Sequence, residues 1–384
     1  MRRAGCGMWN GPHTMKAHRV VAAASSAHDT PHPAMAQLIL VIRLDRIGDV
    51  VLSTPVVQAL RAAYPDAFLA MMVRPACREL VEGHPALNEV ILYDKEGAHR
   101  SAWATIRFAR RLRRYAFDTA LVLHPTHRSH WMPFLAQIPV RIGYDRKSRW
   151  LLTHRVRHRK QEGARHEAAY TLELLRVLGL EPPLPQPMVP LRPQAEQRLA
   201  ARLALEGWTG QQEFVAIHPS ASCVSKRWLP ERFAEVGDRL IESGCGRIVL
   251  IAGTEDVGAA TAVERAMRGR PVNLAGQLSL GELAALLKRC RLLISNDSGP
   301  VHIAAAVGTP VVDLFGRNQR GLSPMRWGPL GEGHVVLQKD VGCVTCLAHR
   351  CDIGFRCLTT LSAEEVYQAA VAVLKRPGNV SGAS

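Results

Sequence analysis

Residues 295–316 read SNDSGPVHIAAAVGTPVVDLFG. The apolar run Arg291–Ser295 just before it has the character of a buried strand. That run stops at the small polar cluster Asn296-Asp297-Ser298-Gly299, and Pro300 opens an alanine-rich helical segment. Proline at the start of a helix sacrifices no hydrogen bond, because the amide there has no intrahelical partner. Gly308 ends the helix, and Pro310–Phe315 reads as the next strand. The pattern is strand, polar turn, short helix, strand. A helix N-terminus at the carboxyl end of a parallel strand carries free amides and partial positive charge, which suit a phosphate.

The same alternation runs through the chain. Leu38–Leu44 is a continuous apolar run, as expected of a buried parallel strand. A polar loop, Asp45–Asp49, leads into a helical stretch over 50–63. Strands follow at 67–73, 90–93 and 119–123, with a helix at 103–115 between the last two. The proline-rich segment 181–190 is semi-rigid and extended, and it marks a domain boundary. Beyond it, strands at 214–218, 247–252 and 271–274 alternate with helices at 230–243, 255–267 and 280–289. Ser362–Leu374 reads as a last amphipathic helix, placed to cross back to the first domain. The expectation is an α/β protein of two similar parallel-sheet domains, 37–185 and 193–361, with a helix and tail at 362–384. Residues 1–36 read as a disordered extension, with Met35 directly before the first strand.

Composition bounds the function. With 384 residues and 47% hydrophobic content, the chain can build two sizeable cores. No apolar run approaches the ~20 residues of a membrane-spanning helix, so a cytoplasmic protein is expected. The net charge is +16, and residues 100–165 hold 16 Lys and Arg against three acids. Such a sector is either a solvated basic face or a site for an anionic partner: nucleic acid, an acidic membrane surface or a phosphorylated substrate. Aromatics are only 5%, which disfavours a base-stacking nucleic-acid surface. Four of nine cysteines form C-x2-C-x4-C-x5-C at Cys343, Cys346, Cys351 and Cys357. Their spacing lacks the separated knuckles of common zinc ribbons, so they read as reduced thiols rather than metal ligands.

Four polar loops follow strands and are candidates for chemistry. Gly48-Asp49 lies after the first strand, where Asp49 either meets a ligand or caps a helix. The loop His218–Trp228 presents Ser220 and Lys226, suited to bind and neutralise phosphate. Asp297-Ser298-Gly299, with His302 one turn on, joins a carboxylate for sugar hydroxyls to small residues for phosphate. Gly253-Thr254-Glu255 is a weaker ribose or base loop. The first loop is not G-x-G-x-x-G, which counts against a dinucleotide enzyme. No D-x-D pair occurs, so no carboxylate clamp for a metal-diphosphate is visible.

Taken together, RLDRIGDVVLSTP (43–55), the HPS…SKRW loop (218–228) and NDSGPVHIAAAVGTP (296–310) resemble glycosyltransferase family 9, the ADP-heptose:lipopolysaccharide heptosyltransferases. The resemblance spans about 37–375. It implies the GT-B architecture: two Rossmann-like domains facing a cleft, acceptor mainly on the first and nucleotide-sugar on the second. It makes Asp49 the general base and Lys226 the cation for the departing diphosphate. Asp297, Ser298 and Gly299 become donor contacts, joined by Ser220, Ala221, Glu255 and His302. Gly48 and Arg128 fall to the acceptor side. The implied reaction is inverting transfer of a heptose from ADP-L-glycero-D-manno-heptose to the lipopolysaccharide inner core, on Kdo-lipid A or a heptosyl acceptor. No cofactor or metal is implied. The basic sector would then meet the anionic inner leaflet peripherally, without nucleic acid. The alternatives are a transferase or epimerase acting on another nucleotide-sugar, and a non-catalytic lipid- or nucleic-acid-binding protein.

Overall fold

Leu38–Ile42 is buried on both faces. Ile39 and Val41 point into one apolar layer, Leu40 and Ile42 into another, as the two-residue period of a strand requires. Phe214–His218 repeats the arrangement, with Phe214 and Ala216 facing the first of those layers and Val215 and Ile217 facing a third. Strands covered on both faces in this way belong to parallel sheets flanked by helices. The computed structural model describes residues 37–208, 213–343, 346 and 349–376. The extension expected at 1–36 lies outside the described residues.

The first sheet contains β1 (Leu38–Ile42), β2 (Phe68–Val73), β3 (Glu89–Leu92), β4 (Thr119–Val122), β5 (Val140–Tyr144) and β6 (His154–Val156). Its spatial order is β3-β2-β1-β4-β5-β6. The second contains β7 (Phe214–His218), β8 (Arg247–Leu250), β9 (Val272–Asn273), β10 (Cys290–Asn296), β11 (Val311–Phe315) and β12 (Val335–Gln338), in the order β12-β11-β10-β7-β8-β9. Every strand pairing among the described residues is parallel. Renumbered within each half, both sheets have the doubly wound order 3-2-1-4-5-6. Such sheets bind ligands where the winding reverses, beyond the carboxyl ends of the two central strands. Here those points lie between β1 and β4, and between β7 and β10.

The helices of the first half are α1 (Ile47–Val51), α2 (Thr54–Ala63), α3 (Ala102–Leu112), α4 (His127–Leu135) and α5 (Glu167–Leu172). The second half adds α6 (Pro193–Leu205), α7 (Pro230–Glu242), α8 (Val257–Ala266), α9 (Leu280–Arg289), α10 (Gly299–Ala306), α11 (Pro324–Trp327), α12 (Arg356–Thr359) and α13 (Ala363–Leu374). The single helix expected over 50–63 is instead α1 and α2. Pro55 has no amide to give Val51, and the Thr54 hydroxyl bonds the Val51 carbonyl in its place, at 2.8 Å. The final helix does not cross back to the first domain. Val366, Ala370, Val373 and Leu374 pack with Val215, Ile217 and Trp228 on the outer face of the second sheet, and a Ser362–Glu365 capping box starts the helix there. Its apolar stripe is already satisfied within its own half.

The two halves are joined through a continuous apolar layer that includes Val56, Leu60, Leu199, Leu286 and Val301. Polar contacts flank it. The Gly281 amide donates to Glu79 at 2.8 Å, and His166 Nε2 meets the Gly328 carbonyl at 2.9 Å. Gly163, at φ +61°, sits so close to the Arg320 carbonyl that an added Cβ would lie 1.9 Å from its oxygen. Gly163→Ala should therefore cost more than the roughly 1–2 kcal/mol of a left-handed alanine. Gly179, also left-handed but with open space around it, is the control. In urea unfolding, Gly163→Ala is expected to lose clearly more stability than Gly179→Ala. Equal losses would mean that the contact between the halves contributes nothing.

Candidate functional site

The loop leaving β1 is organised by Arg43, only 2% exposed at the end of an apolar strand. Its Nε donates to Asp45 Oδ1 at 2.7 Å, and its terminal nitrogens reach Asp49 Oδ1 and, at 3.3 Å, Glu167 Oε1. His124, after β4, holds the other Asp45 oxygen at 2.8 Å. Glu167 opens α5 and takes Lys160 on Oε1 at 2.6 Å. Its Oε2 takes Arg326 from the second half, at 2.8 and 3.0 Å. Asp45, Asp49 and Glu167 thus interlock with Arg43, Lys160 and Arg326.

These carboxylates are not equivalent. Burial would raise Glu167, but Lys160, Arg43 and Arg326 outweigh it and bring its pKa down to about 2. Asp45 is likewise pulled below the usual carboxylate range, burial being outweighed by Arg43 and His124. Asp49 moves the other way. Burial raises its pKa, Arg43 opposes, and the negative charges of Asp45 and Glu167 push it up further. Asp49 is therefore the most proton-accepting of the three, on the first turn of α1 at the winding reversal of the first sheet. Its side chain keeps 13% exposure.

The second half of the site is built around β7 and β10, the central strands of its sheet. His218 is buried and neutral, its pKa lowered by burial to about 4. Its Nε2 meets Ser220 Oγ at 2.9 Å, and its Nδ1 meets the hydroxyls of Ser295 and Ser298 at 3.2 and 3.1 Å. Asn296 ties the same two loops together, donating to the Pro219 carbonyl and accepting from the Trp228 amide. Asp297 accepts from Lys226 at 2.7 Å and from Arg317 at 3.0 Å, both on Oδ2. Lys226 Nζ also donates to the Asp297 carbonyl at 3.2 Å. Two cations therefore flank the start of α10, whose first amides have no intrahelical acceptor.

The two loops face each other. Gly48 on α1 abuts α10: a Cβ there would lie 2.5 Å from His302 Cδ2 and 3.6 Å from the Gly299 Cα. Gly48 is thus the residue that lets the two helix starts meet. His302 is 5% exposed, and burial lowers its pKa to about 3, so it fills this contact as a neutral ring. Ser220 and Ala221 are buried under the loop, and Ser298 and Gly299 line the start of α10. Glu255 is exposed on the loop after β8, and its neighbour Asp256 pairs with Arg227 at 2.9 Å. Arg128 is engaged with the carbonyls of Lys95, His99 and Arg100 at 2.9–3.2 Å, which braces α4 against that loop. Cys343, Cys346, Cys351 and Cys357 are free thiols lining one cavity of about 310 Å³ beside Ser225 and Arg317. Among the described residues, no three His, Cys, Asp or Glu side chains are gathered as a metal site.

Sequence reading missed Arg43, His124, Glu167, His218, Arg317 and Arg326 as parts of the site. Two of them had a local signal: Arg43 is a charge closing a strand of four fully buried residues, and His218 opens the HPS…SKRW motif. Asp313 was missed as well. It is fully buried on β11, and neither carboxylate oxygen has a hydrogen-bond partner among the described residues. Burial first, then the charge of Asp297, raises its pKa, with Lys226 opposing.

Arg43→Met would leave three clustered carboxylates without their shared cation. Removing one partner of such a buried set costs roughly 3–5 kcal/mol, so urea unfolding near neutral pH should show a loss of that order. Glu167 contributes its stabilisation above its ordinary 4.5 and loses it as pH falls toward about 2. The gap between Arg43→Met and the unaltered protein is therefore expected to narrow across that window. A gap independent of pH would mean that packing, not charge, was lost.

Comparison with known proteins agrees with this fold. Residues 105–354 match the model of glycosyltransferase family 9 (heptosyltransferase). Lipopolysaccharide heptosyltransferase 2 of Escherichia coli K12 is 28% identical over 298 residues, covering 74% of this chain and 84% of that protein. The crystal structure of a glycosyl transferase family 9 protein from Veillonella parvula superposes with a TM-score of 0.79 at 26% identity, over 88% of this chain and 97% of that one. The structure of E. coli ADP-heptose lps heptosyltransferase II superposes with a TM-score of 0.73 at 25% identity, over 88% and 98%. The motifs, the paired 3-2-1-4-5-6 sheets and the family match coincide: this chain belongs to glycosyltransferase family 9, the heptosyltransferases, and has the GT-B fold.

Proposed function

We propose that the chain transfers a heptose from ADP-L-glycero-D-manno-heptose to the inner core of lipopolysaccharide, with inversion at the anomeric carbon. The observation that carries this reading is the close approach of Gly48, the residue before Asp49, to His302 and Gly299 of α10. The names of the relatives supply the donor and acceptor classes.

In this mechanism the acceptor hydroxyl gives its proton to the Asp49 carboxylate while its oxygen attacks the anomeric carbon. The bond to the diphosphate oxygen breaks on the opposite face, so one displacement inverts the centre. Negative charge grows on the departing ADP, where Lys226, Arg317 and the first amides of α10 are placed to receive it. Asp297 holds both cations at one oxygen until the diphosphate draws on them. Ser220, Ala221, Ser298 and Gly299 shape the phosphate floor, and Glu255 is positioned for the ribose. On the acceptor side, Gly48 allows the close approach and Arg128 fixes α4. The residues supply countercharge and a base directly, so no cofactor enters the scheme. The protein would work in the cytoplasm, at the inner face of the inner membrane.

The test is a transfer assay with ADP-heptose against a panel of truncated core acceptors, with other nucleotide-sugars as controls. Consumption of a different nucleotide-sugar, with ADP-heptose neither bound nor used, would overturn the assignment. Asp49→Asn is expected to lower kcat by at least ~10²-fold while ADP affinity holds. Equal loss of both would make Asp49 structural. Because Asp49 must be ionised to accept a proton, and burial and its neighbours raise its pKa, activity should fall on acidification with a midpoint above the ordinary 3.8. Lys226→Ala should weaken ADP binding and slow transfer together.

A further inference from the structure

The outer face of α3 and α4 carries aromatic side chains that the core does not use. α3 buries Thr105, Ala109 and Leu112 against the sheet, leaving Trp103 66% exposed beside Arg107 and Arg110. The Arg110 guanidinium lies 6.0 Å from the Trp103 ring centre. α4 leaves Trp131 and Phe134 at 37% and 40% exposure, and the turn 149–151 adds Trp150 at 62%. The last three form one cluster. Trp131 lies 5.8 Å from Phe134 and 5.5 Å from Trp150, both edge to face, and Phe134 lies 6.4 Å from Trp150.

α3 and α4 lie side by side. Arg128, at the start of α4, bonds carbonyls just ahead of α3, and Arg113, just past α3, bonds the Leu135 carbonyl at 2.9 and 3.0 Å. Both helices cover the same layer of the first sheet, through Ala109, Leu112, Met132 and Ala136. Their outward sides therefore make one surface, within the sector of 16 cations and three acids. Each helix begins at the strand carboxyl edge, where Asp49 also sits, so the surface borders the cleft.

We propose that this face docks the protein on an anionic phospholipid bilayer. Trp103, Trp131, Phe134 and Trp150 would enter the headgroup and acyl boundary, and Arg107, Arg110, Arg146 and Arg149 would meet lipid phosphates. Tryptophan suits that boundary, having an apolar body and a polar N–H. Exposed apolar rings among arginines match an anionic interface in both properties, with each surface cation adding attraction. A single-stranded nucleic acid would need ring faces presented in series along a groove. Here three rings are closed edge to face into one knob. The inference extends the proposed function, whose acceptor is lipid-anchored, but its test requires no catalysis.

The test uses the full chain with vesicles of phosphatidylglycerol and phosphatidylethanolamine, and with phosphatidylcholine alone, read by sedimentation and by quenching of tryptophan emission with brominated acyl chains. Binding is expected on the anionic vesicles only, with emission quenched. Trp131→Ser/Trp150→Ser, and separately Arg107→Glu/Arg110→Glu, should each lower partitioning by at least about tenfold. All four positions are exposed, and an unchanged melting temperature shows that the variants fold. Transfer to a water-soluble truncated acceptor should be unaffected. Absence of binding by the unaltered chain, or equal binding by both folded variants, overturns the proposal. So does a change from dimer to monomer in the aromatic variant, or tighter binding to single-stranded RNA than to vesicles.

Discussion

Arg43 is a cation with almost no solvent, and its charge is tolerable only because Asp45, Asp49 and Glu167 surround it. Desolvation alone would lower its pKa, yet the three carboxylates raise it above the ordinary value. The arrangement has consequences in two directions. Toward the cleft, it crowds Asp49 with negative neighbours and leaves it proton-accepting. Toward the second half, it requires Glu167, and Glu167 in turn holds Arg326. Asp49, the proposed base, and the closure of the two halves therefore rest on one buried charge set. Charge sets of this kind contribute little net stability over an apolar equivalent but fail badly when one member is lost.

The two switch points explain why the remaining parts meet. Each sheet reverses its winding beside its first strand, and each reversal opens a crevice at the strand carboxyl ends. Placing the crevices face to face requires the starts of α1 and α10 to approach within side-chain distance. Gly48 and the neutral ring of His302 make that approach possible. Lys226 and Arg317 then converge on Asp297 from different loops, so cationic charge collects beside the start of α10.

Much of this was legible in the chain. The alternation of apolar runs and helical stretches follows local backbone periodicity, and β7 and α9 fall where that periodicity places them. Short or partly exposed elements did not announce themselves. β6 is three residues long, and β12 has no fully buried residue, so neither carries a readable pattern. Asp49, Lys226 and Asp297 stand out as candidates because each follows a strand in a polar loop. Glu167 does not, because nothing near it in sequence distinguishes it from any acid at a helix start.

By itself the sequence determined the α/β class, the two-halved organisation and the three polar loops of the candidate site, because those depend on residue type over a few positions. The tertiary structure alone decided which groups are coupled. The Arg43–Glu167 contact joins residues 124 apart, and Glu167–Arg326 joins residues 159 apart. The docking of α13 on its own sheet, the abutment of Gly48 on His302 and the exposure of Trp131 and Trp150 were decided the same way. Such pairings depend on where whole layers pack, and no local window of sequence records that. The stretch 295–316 illustrates the division: its strand, turn and helix are written in its residues, whereas its contact with Gly48 on α1 exists only once the two sheets are assembled.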